Sequence, residues 1–489
     1  MRFSANRQTA LFISLSLVML LTMQAPLIAQ SGGSLDLRSN VIAGGGNTST
    51  GSDNIQISGT VGQPAAGTLT SGGTITQRGG FWAAILGVPT PTPTPAPGAG
   101  TLQFSAANFN GNEGCAAATI SVTRTNGSTG AVTVDLDTSD GSAVQSRDYA
   151  IASATLTLGD GETSKTFDLL LTKDAYAEGN ETINLMLSNP TGGASLGAQS
   201  NATLTIVDDL SVVPSTQPID DAATFVCQHY HDFLARTPDS GGAAFWTSQI
   251  TQCGNDQNCI RNKRIDVSNA FFYELEFQQT GSYVFRLYRA AFGNTQPFPN
   301  PDNSNQAEAN KLPSYAVFAH DRARVVGGSS LAQGQLDLAN AFVQRAQFLS
   351  RYPAGLDGPA FVDAVLATIR NDLGVDLNGQ RALLITLFNS GGRGAVMYRL
   401  ADDNATGNPI NNRALIDEEY NRAFVATQYF GYLRRDADIG GFLFWLGQVN
   451  SGPLRDATKQ HAMVCSFITA AEYQLRFSSV VTHGNGECP

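Results

Sequence analysis

The chain has 489 residues, enough for about three domains, each with its own core. Charged residues make up only 15% and glycines number 50, a composition that fits an extracellular, β- and loop-rich protein better than a cytosolic enzyme. The net charge of −11 argues against nucleic acid as a partner, because gripping phosphates needs a basic patch.

The N-terminus reads as an address. Arg2 and Arg7 supply positive charge, Ala10–Met23 is an apolar run broken only by Ser14, Ser16 and Thr22, and small residues follow near Ala25 and Ala29. Residues 1–30 are therefore expected to be a secretory signal peptide. An uncleaved anchor is the alternative, since no clean cleavage motif stands there. The run is short for a membrane span and no second candidate follows it, so no transmembrane span is expected after cleavage.

Residues 31–88 are rich in Gly, Ser and Thr, and pieces such as IQISGTV and GTITQRGGFW predict short β-hairpins with glycine turns. The segment resembles a short Gly-rich module, ending in Gly-Gly-Phe-Trp, of large bacterial surface proteins. Residues 89–100, PTPTPTPAPGAG, form a Pro-Thr linker, which proline holds extended as a semi-rigid spacer. Residues 101–210 alternate apolar and polar with period two, as in TISVTRT, AVTVDLDT, TINLMLS and ATLTIVDD, and predict an antiparallel β-sandwich. This stretch holds 13 Asp and Glu against 4 Lys and Arg, so it carries −9 of the chain's −11.

Residues 211–220 read as a second linker. Beyond them the period becomes helical, in AATFVCQHYHDFLAR, SYVFRLYRAAF, FVDAVLATIRNDL and NRAFVATQYFGYLRR, and residues 221–489 predict an all-α domain. That domain contains a duplication. Residues 225–250 and 424–449 align without a gap, 11 of 26 positions being identical, within repeat copies near 225–292 and 424–480. The stretch 340–400 reads as a third, decayed copy. A repeated unit implies modules that bury apolar faces against one another rather than a single active site.

Six cysteines in a secreted chain favour disulfides. Cys253 and Cys259 flank a short polar loop that can close tightly, and Cys465 with Cys488 would tie the C-terminal tail to a helix. Cys115 and Cys227 are left over, and the sequence leaves open whether they are free thiols or a pair. Cys227, His229 and His231 do not make a zinc site, because helical residues two apart face different ways.

The sandwich resembles a Calx-beta domain over residues 102–210, an immunoglobulin-like calcium-binding fold. The resemblance rests on NEG at 112–114, TSDGSAVQSRDY at 138–149, TLGDGETSKTF at 157–167, AEGNETINLMLSNPTGGASLG at 177–197 and ATLTIVDD at 202–209. It implies a Ca2+ site at one end of the sandwich, with Glu113, Asp148, Asp174, Glu178, Asp208 and Asp209 as its ligands. Calcium takes six to eight oxygens, which carboxylates converging from several loops can supply. Two departures point to one ion rather than a cluster: Lys173 stands before Asp174, and Leu210 stands where a third terminal acid would be. The alternative is that these acids only solvate a loop edge.

Residues 221–480 resemble the bacterial domain-of-unknown-function family 4214. The motif is Tyr-x-x-Phe/Tyr-Leu-x-Arg, a Pro/Asp/Gly turn, then Phe-Trp, here carried by Tyr230, Arg236, Asp239 and Trp246 and again by Tyr429, Arg435, Asp438 and Trp445. A later Glu-Phe/Tyr phrase recurs in ELEFQQ at 274–279 and AAEYQLRF at 470–477. The residues themselves read as structural: aromatic residues on one helix face, Asp239 capping the next helix, and tryptophan filling the angle between helices.

Together these readings predict a secreted or cell-surface, non-catalytic protein: a calcium-binding adhesion, matrix or interaction module whose partner is a surface protein or glycan. The alternative is a secreted enzyme or enzyme accessory acting on carbohydrate or peptide, with Asp402, Asp403, Asp417, Glu418 and Glu419 as candidate cleft acids in the helical domain.

Overall fold

The computed structural model describes residues 98–209, 215–403 and 407–488, together with four short strands nearer the N-terminus. The chain divides into two units, 1–92 and 93–489. The expected signal peptide lies outside the described residues. In the first unit β1 (Ser49–Thr50) pairs antiparallel with β2 (Gln56–Ile57), and β3 (Thr70–Gly72) with β4 (Ile75–Gln77), as the Gly-rich alternation predicts.

The second unit begins with the sandwich. Its strands are β5 (Thr101–Phe104), β6 (Asn108–Asn112), β7 (Ala117–Thr125), β8 (Val132–Asp140), β9 (Ser153–Leu158), β10 (Ser164–Leu170), β11 (Glu181–Ser188), β12 (Ser195–Leu196) and β13 (Asn201–Val207). They form one sheet in the order β10-β7-β5-β12 and a second in the order β6-β13-β11-β8-β9. The period-two pattern decides which face is inside: Leu102, Ile120, Val122, Val134, Leu136, Ile183, Leu185 and Leu204 are buried between the sheets, and the alternate residues face outward. Most neighbours are antiparallel, but β13 runs parallel to β6 and β12 parallel to β5. The β6–β13 pair ends at Asn112 opposite Val207, so Glu113 and Asp208 emerge side by side at one end of the sandwich.

The remainder of the unit is helical, around a core rich in phenylalanine and tyrosine. The two sequence copies are two copies of one structure. In the first, helix Ala222–His229 runs into a π-helical turn, Tyr230–Leu234, and stops at Ala235 in the left-handed conformation. Asp239 then caps Ser240–Thr251, and Asp256 caps Gln257–Tyr273. In the second, Arg413–Gln428 runs into the π turn Tyr429–Leu433 and stops at left-handed Arg434. Asp438 then caps Ile439–Asn450, and Asp456 caps Ala457–Ile468. The stretch 340–400 does not repeat this plan: helices Ala346–Arg351, Gly358–Leu373 and Arg381–Ala401 lack the π turn, and the last is kinked at Gly392.

The motif residues hold each copy together. Arg236 stacks over Tyr230 at 4.8 Å and Arg435 over Tyr429 at 5.6 Å. The main partner of each arginine is a glutamate from the later phrase: Arg236 to Glu276 at 2.5 Å and Arg435 to Glu472 at 2.5 Å. The nearer aspartates, Asp239 and Asp438, stand farther off at 3.7 and 3.9 Å, because their carboxylates cap helices. Trp246 and Trp445 pack half-buried against the core, as predicted, while Phe245 and Phe444 stay exposed.

All six cysteines are paired. Cys253–Cys259 and Cys465–Cys488 join as expected. Cys115 and Cys227, whose state the sequence leaves open, are also paired, and this bond ties the sandwich to the first helix of the helical region. Local spacing could not reveal it, since 112 residues separate the two cysteines. The described part of the second expected linker is no free spacer. Ile219 is fully buried, and Gln217 donates to the carbonyls of Gln474 and Val480.

Candidate metal centre

Four loops meet at the end of the sandwich where β6 and β13 finish. They carry Glu113, Asp148, the 172–180 segment with Asp174 and Glu178, and Asp208, and Glu181 at the start of β11 joins them around one small cavity. Backbone amides aim the carboxylates. The Asp174 N–H donates to Glu113 Oε1 at 2.7 Å, Val144 to Asp148 Oδ2 at 2.7 Å, Tyr176 to Asp174 Oδ1 at 2.8 Å, and Gly179 to Asp208 Oδ2 at 2.7 Å. Each such bond engages one oxygen of a carboxylate that has two.

The crowding has an electrostatic cost. Burial, together with the neighbouring Asp208, pushes the Glu113 carboxyl up to about 7, against the pull of the Asp174 and Asp209 amides. Burial and then the Glu113 charge push Asp174 to about 8. Burial, Asp148 and Glu178 raise Glu181 to about 7, and burial raises Glu178 as well. Burial and mutual repulsion are thus the causes that raise these acids.

The arrangement fits a calcium ion. Two oxygens sharing one ion at about 2.4 Å lie at most about 4.8 Å apart. Asp148, Asp174 and Glu178 each offer an oxygen within 4.8 Å of the others, and Glu113, Glu181 and Asp208 stand around them. Five of the six acids named from the sequence thus come together. Asp209 does not line the cavity; it is exposed, and its backbone N–H donates to Glu113 Oε2 at 3.3 Å. Glu181 was missed; it sits in the GNET phrase at a strand start, where only the fold shows that its side chain turns toward the loops. Lys173, the expected intruding charge, is exposed. The cation at the site is instead Arg147, 3.0 Å from Asp148 and 2.7 Å from Glu178, with its guanidinium 5.4 Å from the Tyr176 ring centre.

Residues 98–210 match the family model of the Calx-beta domain. This part of the chain is a Calx-beta domain. Over 99 residues, 20% of the chain, the protein is 34% identical to the adhesion G-protein coupled receptor V1 of Danio rerio, and it spans only 2% of that receptor's length. Among solved structures, the apo form of the Calx CBD1 domain is 25% identical, over 22% of this chain and 96% of that one, with a TM-score of 0.22. The Calx CBD2 domain is 19% identical, over 23% and 90%, also with a TM-score of 0.22.

Both principal acid-bearing loops of this Calx-beta domain are pinned to the helical region. Arg434 Nη1 donates to the carbonyls of Gln145, Arg147 and Tyr149 at 3.1, 3.4 and 2.8 Å, gripping the Asp148 loop. The Ala175 N–H donates to Phe477 O at 2.7 Å and the Tyr176 hydroxyl to Leu475 O at 2.9 Å, holding the Asp174–Glu178 loop. Farther along the joint, His320 bonds Asp137 at 3.0 Å and Arg324 bonds Asp135 at 2.5 Å. Nothing in the sequence marks Arg434 for this role, although it stands between the motif residues Tyr429 and Arg435.

The acids of the enzyme alternative are differently placed. Asp417 pairs with Arg413 and Arg455, Asp402 with Arg399, and Glu419 is buried against Arg289 at 2.9 Å. Arginine partners of this kind are those of structural ion pairs. Cys227 and His231, one helical turn apart, do approach each other at 3.7 Å, but the Cys227 sulfur is committed to Cys115, and His229 points elsewhere, to Ser268.

Proposed function

We propose that the acidic end of the Calx-beta domain binds one calcium ion through Glu113, Asp148, Asp174, Glu178, Glu181 and Asp208, and that the protein is a non-catalytic adhesion, matrix or interaction module, secreted or held at the cell surface. The observation that carries the calcium reading is the convergence of six carboxylates, four of them raised, on one cavity. Three disulfides support an oxidising compartment outside the cytosol. The N-terminal Arg and apolar run, read as a cleaved signal peptide, agrees with that compartment. The likeness to part of a receptor named for adhesion supports a surface role.

In this reading residues 31–88 form a separate Gly-rich module, 89–100 a spacer, and 221–480 a helical domain of the family 4214 type that carries the docking surface for a surface protein or glycan. Arg434 and the disulfide fasten that domain to the calcium loops, so calcium would stiffen both together. The experiment is a calorimetric calcium titration of the full secreted chain beside an Asp174→Ala, Asp208→Ala variant. Micromolar-to-millimolar binding that vanishes in the variant supports the site; equal heats in both proteins would overturn it. Adhesion is tested separately, by the retention of the protein on cells or glycan surfaces with calcium and with a chelator.

A further inference from the structure

The carbonyl oxygens of Gln145, Arg147 and Tyr149 turn toward one point, where the Asp148 loop faces the helices. Converging carbonyl dipoles repel one another, and buried ones need donors. Arg434 supplies them from the helical region. Its Nη1 also donates to Thr172 Oγ1 at 3.4 Å, at the start of the loop that carries Asp174 and Glu178. One guanidinium nitrogen thus sits between the two acid-bearing loops and serves both. The loops meet there as well, the Thr172 N–H donating to the Asp148 carbonyl at 2.9 Å.

The guanidinium is fixed from behind. Arg434 and Asp232 are both buried, and Arg434 Nε donates to Asp232 Oδ1 at 3.1 Å. Asp232 also accepts from Gln228 at 2.9 Å and from both Nη atoms of Arg476 at 3.1 Å, so it cannot swing. The repeated unit itself does not ask for this arginine. Arg434 closes the second π turn with φ +47°, and its counterpart in the first copy, Ala235, closes the first with φ +55° and only a methyl group. The counterpart of Asp232 is likewise a glycine, Gly431. Alanine suffices to end the turn, so the arginine is explained by what it reaches: the loops of the sandwich.

We propose that Arg434 is a positioning residue for the calcium site: through this side chain the helical region presets both acid-bearing loops, so that calcium affinity belongs to the joined sandwich and helical region and not to the sandwich alone. The proposal rests on the calcium reading above. Arg434 does not touch the ion. A loop already held in its binding pose loses less freedom when the ion arrives, and apparent affinity falls with the fraction of time that the pose is lost.

The test uses the full chain, disulfides intact, and two readouts. With chelator present, hydrogen exchange at the amides of Val144, Asp148 and Thr172 is expected to be about tenfold faster in Arg434→Gln than in the parent, while the strand amides of β8 and β11 keep their rates. By calorimetry, Arg434→Gln is expected to bind calcium about tenfold more weakly. The control is Arg324→Gln, since Arg324 bonds Asp135 and Thr155 at the joint and none of the acids around the cavity; it should change neither readout. Parent-like exchange or parent-like affinity in Arg434→Gln overturns the proposal. So does an equal loss in Arg324→Gln, which would make the effect one of docking in general. If the parent takes up no calcium, the calcium reading fails, and exchange alone decides whether Arg434 sets the loops. If Arg434→Gln does not fold, Arg434→Lys decides in its place, because an ammonium can pair with Asp232 or reach the carbonyls but cannot do both.

Discussion

At the residue scale, Arg147 stands where a calcium ion would do its work. It is a tethered cation paired with Asp148 and Glu178. Because it is about one-third exposed, solvent screens it and its competition with an ion is modest. Arg147→Gln is therefore expected to tighten calcium binding up to about tenfold, read by calorimetry. Unchanged affinity would mean that Arg147 swings aside at no cost. The paired glycines of the repeated motif make a second case. A Cβ on Gly242 would strike the Tyr230 hydroxyl, and one on Gly441 the Tyr429 hydroxyl, whereas Gly440 faces open space and the nearest atom to a Cβ on Gly241 is 3.5 Å away. Gly242→Ala and Gly441→Ala should each cost about 1–3 kcal/mol in denaturant unfolding, since the buried tyrosines cannot retreat. Gly241→Ala and Gly440→Ala should stay within about 0.5 kcal/mol of the parent.

At the scale of elements, the calcium loops and the domain joint titrate separately. Glu113, Asp174 and Glu181 have folded values near 7, 8 and 7, above their ordinary 3.8 to 4.5. Groups raised in this way favour the fold while protonated, and the contribution is lost as pH climbs through about 7–8. Metal-free protein should lose stability from about pH 4.5 to 8, and calcium, which displaces those protons, should bind more tightly at pH 8 than at pH 6. Titrations at the two pH values, with proton release measured in buffers of different ionisation heat, check both points. At the joint, burial alone would lower His320, but its bonds to Asp137 and Asp321 win and raise it to about 9. Its contribution is complete below about 6.5 and fades as pH passes 9. The ring is 39% exposed, so the effect is small. His320→Gln should flatten the part of the stability loss between pH 6.5 and 9 that calcium does not suppress.

At the scale of the whole molecule, Cys115–Cys227 closes a span of 112 residues between the sandwich and the helical region. Chain entropy alone assigns such a cross-link about 4–5 kcal/mol. A Cys115→Ser, Cys227→Ser protein is expected to unfold in two calorimetric transitions where the parent shows one, since the remaining joint is largely polar and each part has its own core. A single transition at an unchanged temperature would show that Arg434, Ala175 and Tyr176 suffice to couple the two.

The sequence by itself determined what depends on local pattern. Period-two alternation gave the sandwich and its inward face, the helical period gave the C-terminal region, and the repeated Tyr–Arg–Asp–Trp motif gave two copies of one helical unit, down to the aspartates that cap their helices. It also named five of the six acids around the cavity, because they fall in phrases with fixed places on the sandwich. The tertiary structure decided everything that required distant segments to meet. Glu181 joins the acids only when β11 packs beside its neighbours, and Asp209 turns outward because its amide, rather than its carboxylate, serves Glu113. Arg236 and Arg435 choose glutamates from a later phrase because the nearer aspartates are occupied as caps. Cys115 finds Cys227, and Arg434 finds the carbonyls of the Asp148 loop, only because the sandwich docks on the helices. A single sequence records what each segment prefers, whereas partners across 100 or more residues are chosen by packing.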